Sequence, residues 1–368
     1  MEGLKFIDTP ALILDKAVLL KNIQEMSALA NKAGVKLRPH IKAHKCSKIS
    51  NLQIANGASG ITVAKVSEAE VMFSAGIKDI LIAYQLINTE KINRVISLIK
   101  KGASISCLLD NLCQTKKLNN AAKENNLIID TYVEVDSGLK RTGLEPEDVV
   151  GFVNELKSFD GLRFKGILTH AGQVYGALKV NVPAIGHQEG MIMEKVAKSL
   201  ENAGFVDFEV SVGATPTVKY SAYNPKVTEI RPGNYVFNDA IQVGLGTAER
   251  DRCSLKVLTT VISKPAPDRI IIDAGSKTLA LDKGAHGTEV VTGFGIVNGY
   301  PNLILERLSE EHGVIKVSSA GKVPAIGDKI LIIPNHACPV ANLAEELILI
   351  EHGKENESWV IDARGKNK

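Results

Sequence analysis

Three observations predict an α/β chain built as a (β/α)8 TIM barrel with a second, C-terminal β-rich domain. Eight short apolar strand candidates alternate with helix-like windows over roughly 200 residues, the periodicity such a barrel requires. Lys42, Asp136, His170, Gly213 and Gly233 each close one of those strands. A barrel gathers strand ends around one mouth, whereas a doubly wound sheet of similar periodicity would scatter them along its edge. Beyond about residue 245 short β-branched segments, separated by Gly, Pro or charged turns, take over with few helical windows.

Taken in order, residues 11–14 (ALIL) read as a short apolar strand and 16–32 as an amphipathic helix ending at Gly34. The strand candidates follow at 35–42, 60–64, 79–84, 105–110, 130–136, 164–170, 207–213 and 227–233. Between them the apolar spacing predicts helices at 67–75, 89–100, 112–125, 147–158 and 187–202. Residues 11–245 are thus assigned to the barrel and 246–368 to the β domain, which residues 1–10 are a candidate to join. Its strands are expected at 255–263, 269–273, 288–294, 303–307, 313–317, 329–333, 346–351 and 357–361. Turns at 265–268 (PAPD) and 324–328 (PAIGD) punctuate them.

With 45% hydrophobic and 23% charged residues, the composition is that of an ordinary globular protein. A net charge of +3 with scattered lysines argues against a nucleic-acid surface. The five cysteines (46, 107, 113, 253 and 338) are odd in number and widely spaced, which points to a reducing compartment rather than a disulfide framework. No basic, then apolar leader opens the chain and no apolar run is long enough to span a membrane, so a cytoplasmic enzyme is expected.

The stretch Arg38-Pro39-His40-Ile41-Lys42-Ala43-His44-Lys45-Cys46 organises the chemistry. As a strand it places Arg38, His40 and Lys42 on one face. Crowding by cations and burial would lower the pKa of Lys42, making it a candidate Schiff-base former; the plain alternative is a basic strand end. Glu134 to Gly143 combines carboxylates, two glycines and Arg141, a loop able to hold a phenolate or carboxylate oxygen or simply a solvated ion pair. The sixth strand closes on His170 with Tyr175 one turn on. The seventh and eighth end in Ser211-Val212-Gly213-Ala214-Thr215-Pro216-Thr217 and Arg231-Pro232-Gly233-Asn234-Tyr235, where barrels commonly hold a phosphate. With a lysine across the mouth, pyridoxal phosphate (PLP) is the cofactor that fits best. In the second domain His336 and Cys338 are two apart, so an extended segment would turn both to one metal ion, with zinc favoured. A third ligand would come from elsewhere. The alternative is a buried cysteine beside a structural histidine.

With these residues assembled, the chain resembles the D-threonine aldolase and D-serine dehydratase family, PLP enzymes of fold type III that share the barrel of alanine racemase. The match runs from Asp8-Thr9-Pro10 through 38–45 to His336-Ala337-Cys338. The resemblance implies that Lys42, rather than Lys45, carries the cofactor. It makes Gly213, Thr215, Gly233 and Asn234 the phosphate pocket, and His170, Tyr175 and Arg141 ring and O3′ contacts. His336 and Cys338 become the metal pair, with zinc ahead of manganese or magnesium, and Lys42, His336 and Cys338 the catalytic set. A homodimer acting on a small D-amino acid, with no nucleic-acid or membrane partner, is also implied. The His170-Ala171-Gly172 run, the 213–217 run and the cysteine at 338 look more like the dehydratase branch, since characterised aldolases often carry aspartate there. Arg231-Pro232-Gly233 is closer to alanine racemase, where the arginine faces the pyridine nitrogen. The implied activity is elimination from a D-3-hydroxy amino acid to a 2-keto acid and ammonia. Alternatives are retro-aldol cleavage to glycine and an aldehyde, then racemisation, then cofactor binding without catalysis.

Overall fold

The computed structural model describes residues 4–283, 291–351 and 354–368. Two sheets organise them. The first holds eight parallel strands, Lys36–Leu37, Ile61–Val63, Asp79–Gln85, Ser104–Leu109, Ile129–Glu134, Leu162–Leu168, Glu209–Val212 and Glu229–Ile230. From the second onward each strand pairs with the next, and the last pairs with the first. Between the first and second, a bridge from His40 to Thr62 and the bond from Thr62 N–H to the Pro39 carbonyl (2.8 Å) complete a TIM-like ring. Each of the eight strands falls on one of the expected segments, the first and last much shorter than expected.

Alternation along these strands builds two apolar layers. Ile80 and Ile82 face outward against the surrounding helices, while Leu81 joins Leu108, Tyr132 and Leu168 in a cluster inside the ring. Each fully buried Leu or Ile there contributes about 2 kcal/mol. The helices start and stop where local chemistry dictates. Lys16–Ala33 begins at Asp15, whose carboxylate accepts the Val18 N–H, and ends at Gly34 in the left-handed conformation (φ 70°).

The second sheet has nine strands. Leu255–Ala266 is its spine: irregularities near Val261 and Ser263 bend it, so that it pairs with Lys329–Pro334 over one half and Arg269–Ile272 over the other. Through Gly313–Val317, Leu303–Leu308 and Gly295–Val297 those neighbours close an antiparallel ring. The segment expected at 288–294 lies partly outside the described residues, and the strand there is Gly295–Val297. A second core joins this domain to the barrel, mixing Leu255, Val257 and Ile332 with Leu19, Ile49, Tyr235 and Phe237. It seats the end of the eighth barrel strand against the β domain.

Three expectations change. The strand Ala11–Asp15 lies in the second sheet, antiparallel to Leu255–Ala266 and parallel to Glu346–Glu351. An apolar run buried on both faces is at home in either sheet, and its periodicity does not say which. The expected strand at 35–42 stops after Leu37, because Pro39 has no N–H for a ladder, and Ile41–Ala43 form a 3-10 turn instead. Ala337–Leu343 is a helix with His336 at its cap, not an extended segment.

Candidate active site

The early end of the first strand lifts Lys42 off the ladder and onto the ring's carboxyl-terminal rim. Burial pushes its amine below the ordinary lysine range, and Arg141 and Arg231 push further in that direction against the opposing pull of Cys338 and Glu68. Lys45 has a different fate. It is buried, with Nζ 2.7 Å from Asn367 Oδ1 and 3.4 Å from the equally buried Glu68 carboxylate. Arg38 is drawn away from the mouth as well. Its Nε donates to Glu229 (2.7 Å) and Nη1 to Asp79 (2.7 Å), so it does not share a ligand-facing surface with His40 and Lys42.

Two imidazoles flank Lys42. His40 Nδ1 accepts the Lys42 backbone N–H (3.4 Å), which puts the His40 proton on Nε2. His170 Nδ1 lies 3.2 Å from the Gly213 carbonyl, which only accepts, so His170 carries its proton on Nδ1 and turns a lone pair outward. Burial and the nearby Lys42 charge hold both rings well below the usual histidine range, and therefore neutral.

The seventh and eighth strands end in two interlocked turns, tied by the bond from Tyr235 N–H to Thr215 Oγ1 (3.2 Å). Gly213 sits at φ 128°, where a Cβ would also come 2.9 Å from Val218 Cγ1. A Cβ on Gly233 would stand 2.9 Å from the His40 carbonyl. These two backbones make a tight cradle that side chains would fill, and a phosphate is a group such glycine turns can hold. The Asn234 side chain points elsewhere, donating to Asp239 Oδ2 (2.6 Å) with Cys338 Sγ at 3.7 Å. Its contribution to a cradle is therefore through the backbone. Tyr175 faces the same region; burial, then the neighbouring Cys338 and Asp239, push its hydroxyl above the ordinary range. Arg141 is exposed, but its charge is felt at Lys42 and His170.

His336 and Cys338 do come together, although through a helix cap rather than strand alternation. His336 Nδ1 lies 2.7 Å from Asp282 Oδ2, and the imidazole also hydrogen-bonds Cys338. Burial disfavours its charge, yet Cys338 and Asp282 hold the imidazole well above its usual range. Among the described residues no group of three or more His, Cys, Asp and Glu side chains is placed to hold a metal ion. One imidazole nitrogen and one thiol form a donor set that fits a divalent ion with open positions.

Five supporting residues escape a search for strand-end chemistry. Glu189, fully buried in the helix Val182–Asn202, accepts the Gly213 N–H at 2.9 Å. Gly186 brings that helix close, since a Cβ on it would meet Tyr220 Cβ at 2.8 Å. Asp239 caps Ala240–Gly244, accepts from Asn234 and also accepts the Ala337 N–H at 2.9 Å, linking the turn after the eighth strand to the His336–Cys338 segment. Gln242 bonds Tyr175, and Asp282 orients His336. Of these only Asp239 carries a sequence signal, an N-cap acid three residues before a glutamine.

The model of the alanine racemase N-terminal domain matches residues 14–240, and that of a serine dehydratase domain matches 254–350. A D-threonine aldolase of Arthrobacter sp. is 32% identical over 98% of this chain and 93% of that protein. The D-threo-3-hydroxyaspartate dehydratase of Delftia sp. is 30% identical over 90% of this chain and 91% of its own length. A crystal structure of D-threonine aldolase from Filomicrobium marinum, 30% identical, superposes with a TM-score of 0.90, covering 99% of this chain and 98% of that one. A cysteine-to-alanine variant of D-threo-3-hydroxyaspartate dehydratase, solved in the metal-free form, is 28% identical with a TM-score of 0.91, covering 98% and 99%. A histidine-to-alanine variant of the same enzyme is altered two positions earlier. The match thus extends over nearly the whole length, and the chain belongs to the D-threonine aldolase and D-serine dehydratase family of PLP-dependent lyases.

Proposed function

We propose that the chain is a PLP- and divalent-metal-dependent lyase for D-3-hydroxy-α-amino acids that eliminates water to give a 2-keto acid and ammonia. The observation that carries this reading is the convergence of a lysine amine with lowered pKa and an imidazole–thiol pair at one mouth. Lys42 would hold the cofactor covalently, the backbones of Gly213, Thr215, Gly233 and Asn234 its phosphate, and His170, Tyr175 and Arg141 its ring and phenolic oxygen. When bound there, PLP supplies the electron sink that makes a negative charge at Cα affordable. A divalent ion on His336 and Cys338, zinc ahead of manganese or magnesium, supplies Lewis acidity on the 3-hydroxyl side. The residues divide the remaining work. Lys42 Nζ, its pKa lowered by burial with Arg141 and Arg231 adding to the effect, would accept the α-proton. Neutral His170 packs without adding charge, and Arg231 holds a fixed cation under the site.

A cysteine at 338 supports dehydration, because the histidine and cysteine altered in the solved dehydratase have the same spacing as His336 and Cys338. Retro-aldol cleavage is the second reading, supported by the 32% identity to D-threonine aldolase. A homodimer is proposed with it.

Cys338→Ala tests the metal assignment. Loss of an outer-shell partner commonly lowers metal affinity or activity 10- to 100-fold, so loss of a direct ligand is expected to lower activity on D-threonine by at least about 100-fold. Bound metal should fall in parallel while bound PLP is retained. Full lyase activity in Cys338→Ala would contradict the assignment.

A further inference from the structure

Arg231 is not simply a cation under the mouth; it is the top of a column of hydrogen bonds that runs down the barrel axis. Its Nη1 donates to Ser211 Oγ (2.5 Å) and its Nη2 to the Thr169 carbonyl. The Ser211 hydroxyl donates in turn to Glu229 Oε1 (2.6 Å). Glu229 Oε2 accepts from Arg38 Nε (2.7 Å), and Arg38 closes on Asp79 through Nη1 (2.7 Å) and Nη2 (3.4 Å). Arg231, Ser211, Glu229 and Arg38 are buried, whereas the Asp79 side chain is 41% exposed at the far end. Charges alternate from Arg231 through Glu229 and Arg38 to Asp79. The chain also leaves room for the column, because a Cβ on Gly60 would collide with Arg38 Nη1.

We propose that Glu229 and Arg38 are positioning residues that act through Ser211 to aim Arg231 into the cofactor mouth. The inference rests on the lyase reading for the identity of the cofactor. Ser211 has one proton, and because Glu229 takes it, the serine oxygen can only accept from Arg231. Arg38 fixes the other oxygen of Glu229 and thus the direction in which that proton is taken. Burial presses the Arg231 charge down, and the Glu229 carboxylate opposes that pressure. The cation is felt at Lys42, His40 and His170, so its placement sets the field in which the mouth works.

Ser211→Ala removes the middle of the column while leaving the Arg38–Glu229 pair in place. Glu229→Gln keeps the shape and removes the charge; with its carbonyl turned to Arg38, its amide N–H meets the Ser211 hydroxyl, which loses the acceptor that fixed its proton. Each folded variant is expected to bind PLP about 10-fold more weakly, with a shifted visible band, and to lower kcat on D-threonine about 10-fold with KM within about 2-fold. Because Glu229 acts through Ser211, adding Glu229→Gln to Ser211→Ala should change the band and the affinity no further. An unchanged band and affinity in folded Ser211→Ala, or fully additive effects in the double variant, would overturn the proposal. Should Glu229→Gln fail to fold, the Ser211→Ala spectrum decides. A wild-type protein that binds PLP but leaves D-threonine intact counts against the lyase reading alone; the band and affinity measurements still judge the column.

Discussion

Lys42 and Lys45 lie one turn apart and are made chemically different by their neighbours. Lys45 is locked between Glu68 and Asn367, with its carbonyl taken by the Ala363 N–H. Lys45→Met is expected to lower stability by about 3 kcal/mol, because it leaves Glu68 buried without its cation, while cofactor attachment survives. Urea unfolding reads the first effect and peptide mass after reductive trapping the second. Attachment lost in Lys45→Met but kept in Lys42→Ala would reverse the two assignments. His44 makes a separate prediction. Burial lowers its pKa from 6.5 to about 4, and both nitrogens are used, by the Cys46 N–H and the Gln53 side chain. A histidine buried neutral contributes fully above pH 6.5 and loses that contribution as pH falls towards 4, because the unfolded chain binds the proton first. The loss is about 3 kcal/mol. His44→Gln should flatten the acid limb of a stability–pH curve over that window; an unchanged limb would assign it to other groups.

At the scale of elements, two short turns place the chemistry, and these were the parts least legible in the sequence. Alternation assigned Lys42 to a strand, but Pro39 ends the ladder and a 3-10 turn presents the lysine at the rim. His336 and Cys338 were legible as a pair and misread as extended, because a seven-residue helix leaves too few apolar repeats to register a period. Asp239 joins these regions, capping one helix and holding the first N–H of another. Asp239→Ala is expected to destabilise by about 2 kcal/mol. It should also weaken metal binding by about 10-fold, since the Cys338 turn loses its anchor; calorimetry and a metal titration check the two effects. Gly213 was legible for a physical reason, as a glycine where a strand must break sharply. Gly213→Ala forces a side chain into φ 128° and against Val218, and is expected to lower PLP affinity about 10-fold, measured by spectroscopic titration. Unaltered affinity would argue that the cradle is formed elsewhere.

For the whole molecule, the eight-fold alternation and the change to β-branched segments were enough to read the eight parallel strands and the separate β-rich sheet that follows them. The contacts between them were not. Ala11–Asp15 crosses into the second sheet, and Leu19, Ile49, Tyr235 and Phe237 share its core, so the β domain is built against the turn that follows the eighth strand. Only tertiary contact brings Asp282 to His336 or Glu189 to Gly213, and no local pattern in a single sequence announces such a pairing. No helix among the described residues is long and apolar enough to cross a membrane. On the proposed reading, the Lys42 mouth and the His336–Cys338 pair act on one substrate. Product identification tests it most directly: purified protein with PLP, with and without zinc or manganese, is incubated with D-threonine and the products are identified by mass. Metal-dependent formation of 2-oxobutyrate with ammonia is the predicted result. Glycine with acetaldehyde would replace dehydration by aldol cleavage at the same site, and D-threonine left intact under all conditions would contradict the account.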